Sequence, residues 1–377
     1  MSTIKMKVVL AFLVIFGVHS IDAFLSVRNT SFYYGNDKVF LSGANLAWIY
    51  FGSDFGSGGY AKVRSAYESA IDDISSHGGN AMRVWLHADG RYSPKWDQDG
   101  FATGEDTQSL IEDLGLMLDY AASKNVFIVL TLWTLEGTPK PMMHLYYQED
   151  RLQAYLDRVL KPLVAGLKDK KALAAWDLVN EPMGSLSQTH KDPNPCYDTT
   201  HLKDTGAGWA NETIEYEKIL KLINWHADAI KSVDPKALVT SADNGEFTTT
   251  TVCEKCRDHY TDECLIGAGG RAKGTIDFYA LHSYTWEGRY QPTSPFKHNF
   301  DFYNSKKPYL MEEFSTTNSE SHSPSWNYHH IYEGGFGGIL SWQYNQWGKW
   351  VDSKESMFEG MASIRNLTSN GKIDIKL

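Results

Sequence analysis

Two glutamates in the chain each end an apolar run, which is where chemistry is expected. Glu181 follows the run 174–179 with Asn180 between them, and Glu313 closes a run that begins at Pro308. A carboxyl group that protonates a leaving oxygen, facing a second that attacks carbon or activates water, is the pair needed to cleave a glycosidic bond. If the two groups lie about 5–5.5 Å apart, cleavage retains the anomeric configuration. The pair therefore predicts glycoside hydrolysis.

Side chains near the ends of other apolar runs suit the same chemistry. They are rings, amides and basic groups that hold carboxylates or bind hydroxyl groups: Arg83, Trp85, His87, Trp133, Asn180, His282, Tyr284, Trp286 and Trp342. Residues that close the parallel strands of a barrel converge at one mouth, so we expect these to form one binding site with the glutamates. Neighbouring strand residues point to opposite faces, so only one of Glu312 and Glu313 should face that mouth, and we choose Glu313.

The elements that must position these residues alternate along the chain. Strand-like runs are predicted at 39–46, 81–86, 126–133, 173–179, 237–242, 278–284, 309–314 and 338–344, with amphipathic helical stretches between them. Alternating strands and helices favour a parallel sheet, and eight such units predict a single (β/α)8 barrel, a TIM barrel, over residues 24–377. A doubly wound open sheet is the alternative, but its glycine-rich phosphate fingerprint follows none of the strands. The long connections 183–210 and 244–275 are expected on the C-terminal face.

Both glutamate motifs resemble those of a known family. Segment 176–182, Trp-Asp-Leu-Val-Asn-Glu-Pro, looks like the acid/base signature of glycoside hydrolase family 5, and 307–314, Lys-Pro-Tyr-Leu-Met-Glu-Glu-Phe, looks like its nucleophile strand. Segments 83–89 and 130–133 are similar to the secreted, mollusc-type animal endo-β-1,4-mannanases. The resemblance spans about 32–360. It implies a retaining enzyme that hydrolyses internal bonds of β-mannan, glucomannan and galactomannan without a cofactor.

The same resemblance implies individual roles. Glu181 would be the acid/base and Glu313 the nucleophile. Supporting roles fall on Asn180 (the sugar 2-hydroxyl), Arg83 and Tyr284 (holding Glu313), His282 (Glu181 or the leaving sugar) and Trp342 (stacking under the reacting sugar). Trp85, Trp133 and Trp286 are the favoured further stacking platforms, although many family members carry histidine where Trp133 stands. For these two roles Glu181 needs a raised pKa, so that it can donate a proton. Glu313 needs a low pKa, which the positive charge of Arg83 would maintain.

Two other functions stay open. A β-1,4-glucanase of the same family would use the same residues, because glucose and mannose differ only in the orientation of the 2-hydroxyl. A non-catalytic carbohydrate-binding barrel would keep the aromatic cleft, but the presence of both glutamates with their supporting residues argues against it.

Composition and the N-terminal segment limit the possible partners and location of the protein. The chain has 377 residues, and 42% of them are hydrophobic, which argues against a disordered protein. Its net charge of −10 argues against nucleic acid or an anionic membrane as a partner. Lys5 and Lys7 precede an apolar run over 8–18, shorter than the about 20 residues that span a bilayer. Residues 1–23 are therefore predicted to be a cleaved secretory signal, and the protein an extracellular monomer. Sequons at Asn29, Asn211 and Asn366 are potential glycan sites.

The four cysteines fit export. In an oxidising compartment Cys196, Cys253, Cys256 and Cys264 are expected to form two disulfides, and the three pairings are not distinguished by sequence. We favour Cys253–Cys256 with Cys196–Cys264, because the second bond would join two long loops. A zinc site from all four is the alternative, but a second Cys-x-x-Cys is lacking. The acidic residues near 97–105 do not match calcium-loop spacing, so no metal is predicted.

Overall fold

A computed structural model describes residues 23–134, 140–210, 213–285, 288–317, 320, 322–346 and 348–377. Within them, eight parallel strands close into a barrel in chain order, preceded by a three-stranded antiparallel sheet. The strands are β1 (Leu25–Arg28), β2 (Ser31–Tyr34), β3 (Asp37–Val39), β4 (Leu41–Asn45), β5 (Ala81–Ala88), β6 (Phe127–Thr134), β7 (Leu173–Asn180), β8 (Val239–Asn244), β9 (Tyr279–Ser283), β10 (Tyr309–Phe314) and β11 (Gly338–Ser341). The predicted barrel is confirmed.

Helices cover the outside of the barrel. They are α1 (Gly59–Ser76), α2 (Thr107–Ser123), α3 (Lys140–Tyr147), α4 (Glu149–Tyr155), α5 (Lys161–Leu167), α6 (Tyr216–Val233), α7 (Asp262–Gly269), α8 (Pro324–Glu333) and α9 (Lys354–Ile364). A π-helical turn, Leu156–Leu160, joins α4 to α5. On α6, Ile219, Ile223 and Ile230 recur at helical spacing and are buried, so this face packs against the strands. Across the described ranges, no helix is both long and apolar enough to cross a bilayer.

The barrel interior changes from apolar to polar along its axis. Near the strand starts, Phe127, Phe278 and Leu310 belong to one buried apolar cluster. Ala81, the first residue of β5, also belongs to this cluster. Arg83 lies two residues further along the same strand and is fully buried. Parallel strands place equivalent residues in layers, so the apolar layer forms a floor beneath the polar residues.

The antiparallel sheet β1–β3 was not predicted. Its strands pair in register, Val27 with Phe32 and Phe32 with Val39. The buried Phe32 ring meets Phe278 edge-on, with 5.1 Å between the ring centroids. The sheet thus closes the barrel at the end where the parallel strands begin.

Two barrel strands contain an irregularity that matters for the site. In β5, Trp85 pairs with Thr131 but Ala88 pairs with Trp133, so β5 has one residue more than β6 between these pairs. Strand β10 likewise has one residue more than β9 between Met311 and Glu313. An extra residue of this kind breaks the alternation of side chains between the two faces of a strand.

The long loops are held by disulfides. Cys196 bonds to Cys264 and Cys253 bonds to Cys256, which is the pairing favoured from the sequence. The first bond ties the loop after β7 to the start of α7, across a sequence separation of 68 residues. The second closes a short turn within the loop after β8.

Candidate active site

Glu181 follows β7 in a turn with a left-handed backbone. Its φ and ψ are 46° and 55°, and a short 3-10 helix, Pro182–Ser185, begins directly after it. A non-glycine residue in this region is uncommon and costs conformational energy, so the surroundings must hold it there. Its backbone N–H does so by donating to the Ala242 carbonyl on β8 at 2.8 Å. The turn places the Glu181 side chain, 11% exposed, at the mouth of the barrel.

Glu312 and Glu313 both point into the barrel, which corrects the expectation from strand alternation. The extra residue in β10 allows two successive side chains to face inward. Glu312 is completely buried and lies 3.1 Å from Arg83 Nε, so it is paired with a basic residue. Glu313 lies nearer the mouth, where it contacts Arg83 Nη1 and accepts a hydrogen bond of 3.0 Å from the Tyr284 hydroxyl.

His282, at the end of β9, bridges the two carboxyl groups predicted to react. Its Nδ1 is hydrogen-bonded to Glu181 Oε1 at 2.8 Å and lies 3.3 Å from Glu313 Oε2. One ligating atom from each of the three residues lies within 4.8 Å of those of the others. Two side chains 132 positions apart are thus close enough to act on one sugar.

Arg83 is the centre of a buried network beneath these residues. Its Nη2 donates to Asp177 Oδ2 and to Asn180 Oδ1, both at 2.7 Å. The same guanidinium contacts Glu312 through Nε and Glu313 through Nη1. Five donors in a rigid plane allow arginine to hold several acceptors at once. Arg83 therefore fixes the positions of Asn180 and Glu313 relative to each other.

The charges in this network shift one another's pKa. Burial raises the pKa of Glu313 to about 7, although His282 and Arg83 act to lower it. Burial alone would lower the pKa of His282, but Glu313, Glu181 and Glu312 around it raise it to about 10. The low pKa expected for Glu313 is thus not found, because desolvation outweighs the neighbouring positive charges. The three carboxyl groups thus favour the protonated form of His282.

A pocket of about 280 Å³ lies over the two glutamates. Its walls contain six of the predicted site residues, Trp85, Asn180, Glu181, Tyr284, Glu313 and Trp342. It is completed by Trp209, Asn244, Thr285 and Trp350. Asn244 and Thr285 were missed because each stands at or beyond a strand end without a distinctive motif. Trp209 and Trp350 lie in loops, where nothing in the sequence separates a wall residue from a packed one.

Two predicted binding residues lie elsewhere, which corrects their assignment. His87 is fully buried, with Nδ1 2.9 Å from the Ser93 hydroxyl and its ring 4.7 Å from that of Trp133. Trp133 is also fully buried and donates from Nε1 to His226 on α6 at 3.1 Å. The extra residue in β5 redirects His87 away from the mouth. Both rings pack between strands and helices. Trp286 falls outside the described residues.

Glu181, His282 and Glu313 could also offer three ligand atoms to a metal ion. The positive charges of Arg83 and of protonated His282 beside the same carboxylates oppose a bound cation. The arrangement suits instead a reaction in which one carboxyl group gives and receives a proton while the other is held in place.

Comparison with known proteins identifies the family. A mannan endo-1,4-β-mannosidase of Cryptopygus antarcticus is 41% identical over 93% of this chain and 92% of its own. One of Mytilus edulis is 37% identical over 97% of this chain and 99% of its own. The chain belongs to the animal mannan endo-1,4-β-mannosidases. This is the group to which segments 83–89 and 130–133 are similar.

Solved structures agree with this family. The crystal structure of an endo-1,4-β-mannanase from Eisenia fetida superposes with a TM-score of 0.91 at 39% identity, over 94% of this chain and 99% of that one. No protein-family model matches the chain. Membership therefore rests on full-length similarity to individual mannanases.

Proposed function

We propose that the protein hydrolyses internal β-1,4 bonds of mannan, glucomannan and galactomannan with retention of configuration. The proposal rests on one observation in a chain of the mannanase family: a carboxyl oxygen of Glu181 lies within 4.8 Å of a carboxyl oxygen of Glu313, and both residues line the pocket. Retaining enzymes hold their two carboxyl groups about 5–5.5 Å apart, whereas inverting ones need about 6.5–9.5 Å to admit water. The short distance supports double displacement.

In the first step Glu313 attacks the anomeric carbon while Glu181 protonates the departing glycosidic oxygen. The C–O bond to the leaving sugar breaks as the bond to Glu313 forms. In the second step Glu181, now ionised, takes a proton from water, and the resulting hydroxide attacks the same carbon and releases Glu313. Tyr284 and Arg83 stay bonded to Glu313 throughout and keep its attacking oxygen directed at the pocket.

The pocket walls supply binding. Asn180 is held by Arg83 beside Glu181 and would bind the 2-hydroxyl of the reacting sugar. Trp342 and Trp85, whose ring centroids lie 5.9 Å apart, offer faces for stacking against sugar C–H groups. Trp85 Nε1 is buried without a hydrogen-bond partner among the described residues.

Purified protein tests the reaction directly. Reducing ends should be released from galactomannan and glucomannan, and proton NMR should show the β-anomer of the new reducing end first. Glu313→Ala and Glu181→Gln should each lower turnover by orders of magnitude with unchanged folding. Glu333→Gln, on an exposed side chain of α8, is the matched control and should retain full activity. Release from carboxymethyl cellulose but not from mannan would establish a glucanase instead.

The proposal includes export as a monomer. Two disulfides persist in oxidising compartments rather than in the cytosol, and both are formed here. Asn29 and Asn366 are exposed, so both sequons are accessible to glycosylation. The predicted signal, residues 1–23, and the sequon at Asn211 lie outside the described residues apart from Ala23. N-terminal sequencing of protein recovered from the medium of an animal cell host would test cleavage, and light scattering the monomer.

A further inference from the structure

A small recess opens from the main pocket on one side. Trp209, Asn244 and Tyr284 line both, so the two spaces share a wall. The recess has a volume of about 20 Å³ and is also lined by Glu246 and Gln291. A space of this size holds about one water molecule, and therefore also one hydroxyl group of a bound sugar.

Glu246 lines this recess, and one of its two carboxyl oxygens is buried without a partner among the described residues. The side chain is 1% exposed, and its Oε2 accepts a hydrogen bond of 2.9 Å from the Thr293 hydroxyl. Its Oε1 has no hydrogen-bond partner within the described parts of the chain. A buried polar atom left in this state is costly, and such atoms are rare away from sites that bind something.

The backbone fixes Glu246 in this position. Gly245 has a φ of 92°, a conformation that glycine adopts without steric cost, and its N–H donates to the His282 carbonyl at 2.9 Å. The turn out of β8 is thus tied to β9 at His282, the residue that contacts Glu181. The backbone turn and the hydrogen bond from the Thr293 hydroxyl together fix the Glu246 carboxyl group, so its Oε1 keeps one orientation.

The role proposed for Glu181 puts the recess on the leaving-group side of the pocket, because His282 lines the recess and is hydrogen-bonded to Glu181. The rings of Trp48, Trp85 and Trp342, with centroids 4.8 to 5.9 Å apart, form a stacking wall for the sugar that reacts, and none of the three lines the recess. Glu181, the proposed acid, ends β7, and the recess is built from the loops after β7, β8 and β9. The oxygen that Glu181 protonates belongs to the leaving sugar, so that sugar extends towards Glu246.

We propose that Glu246 is a specificity-determining residue that binds a hydroxyl group of the leaving sugar through its free Oε1. This inference rests on the proposed function, because it assigns the leaving-group side from the role of Glu181. Burial raises the pKa of Glu246 to about 7, so near neutral pH the carboxyl group can accept or donate a hydrogen bond. A sugar hydroxyl can take either part, because it both donates and accepts hydrogen bonds.

Two substrates that differ in the leaving group test the proposal. Mannopentaose places sugars on both sides of the cleaved bond, whereas a dinitrophenyl β-mannobioside leaves as a phenolate without a sugar at the recess. Glu246→Ala should lower kcat/KM for mannopentaose about tenfold or more, the loss expected for a hydrogen bond to a charged group. The same variant should keep kcat/KM for the aryl mannobioside near the wild-type value. Glu246→Gln should regain part of the loss, because its amide oxygen still accepts.

Glu254→Ala is the matched control, since Glu254 is an exposed glutamate of the same loop. It should leave both substrates unaffected. An equal fall for both substrates in Glu246→Ala would assign Glu246 a merely structural role, and unchanged hydrolysis of mannopentaose would show that it binds no leaving sugar. Either result overturns the inference while wild-type hydrolysis of mannan stands. Absence of that wild-type activity would instead overturn the proposed function.

Discussion

Replacing Arg83 by methionine should destabilise the fold strongly, and by an amount that depends on pH. Methionine keeps much of the volume and removes the charge. Asp177 and Glu312 lie 2.7 and 3.1 Å from the guanidinium, which at an effective dielectric constant near 20 corresponds to attractions of about 6 and 5 kcal/mol. Desolvation of Arg83 offsets much of this sum, and removing one partner of a buried ion pair generally costs about 3–5 kcal/mol. That is a large share of the total stability of a protein.

The pH dependence follows from the carboxyl groups left behind. In the wild type the pKa of Asp177 is already raised to about 6 and that of Glu313 to about 7, so these groups bind protons more readily folded than unfolded. A carboxyl group of this kind lowers the free energy of unfolding as the pH rises from its pKa in the unfolded chain, near 4, to its pKa in the folded protein. Without Arg83 both folded values rise further. The deficit of Arg83→Met should therefore be small near pH 4 and largest above pH 7.

Urea unfolding followed by tryptophan fluorescence at pH 4.5 and pH 8 measures this directly. Arg64→Met provides the control, because Arg64 is an exposed arginine paired with Glu68 along α1, and it should change the midpoint little at either pH. Equal midpoints for Arg83→Met and wild type at pH 8 would refute the reasoning, since the carboxylates would then not need the guanidinium. A deficit that is the same at both pH values would show that lost packing, not charge, is responsible.

Three further outcomes are expected. Cys196→Ser should lower the free energy of unfolding by about 2–4 kcal/mol, and Cys253→Ser by less, because the chain closed by the first bond is far longer; denaturant midpoints without reductant would check this. His282→Asn should move the acid limb of the pH profile of kcat/KM to higher pH, because losing its positive charge raises the pKa of Glu313; a shift to lower pH would contradict this. Trp133→Ala should cost about 3–5 kcal/mol of stability yet leave KM for galactomannan near the wild-type value, because its ring is buried away from the pocket; a large rise in KM would restore it as a platform.

The barrel could be predicted from the sequence because its signals are local and strong. Each strand covered on both faces is a continuous apolar run, and β10 begins and ends where its run does. The sheet β1–β3 escaped prediction because strands of three and four residues carry too little pattern to be told from a loop. The pair of reacting glutamates was visible because both close such runs.

The errors in the site come from strand register and from loops. Whether His87 faces the mouth or the helices depends on one extra residue in β5, which is set by pairing with β6 and leaves no mark in the sequence. The same effect in β10 brings Glu312 inside together with Glu313. Trp209 and Glu246 lie in loops whose course is fixed by contacts with distant parts of the chain, so their place at the pocket follows from the folded structure alone.

The apolar floor beneath Arg83 limits the routes by which protons and water can reach the two glutamates. Phe32 and the ring of Phe278 close the barrel at the end opposite the pocket, so protons reach Glu313 from the cleft side. A polysaccharide lying in the cleft covers that entrance. The water used in the second step of the proposed reaction must therefore enter from the cleft, through the space that the leaving sugar has vacated.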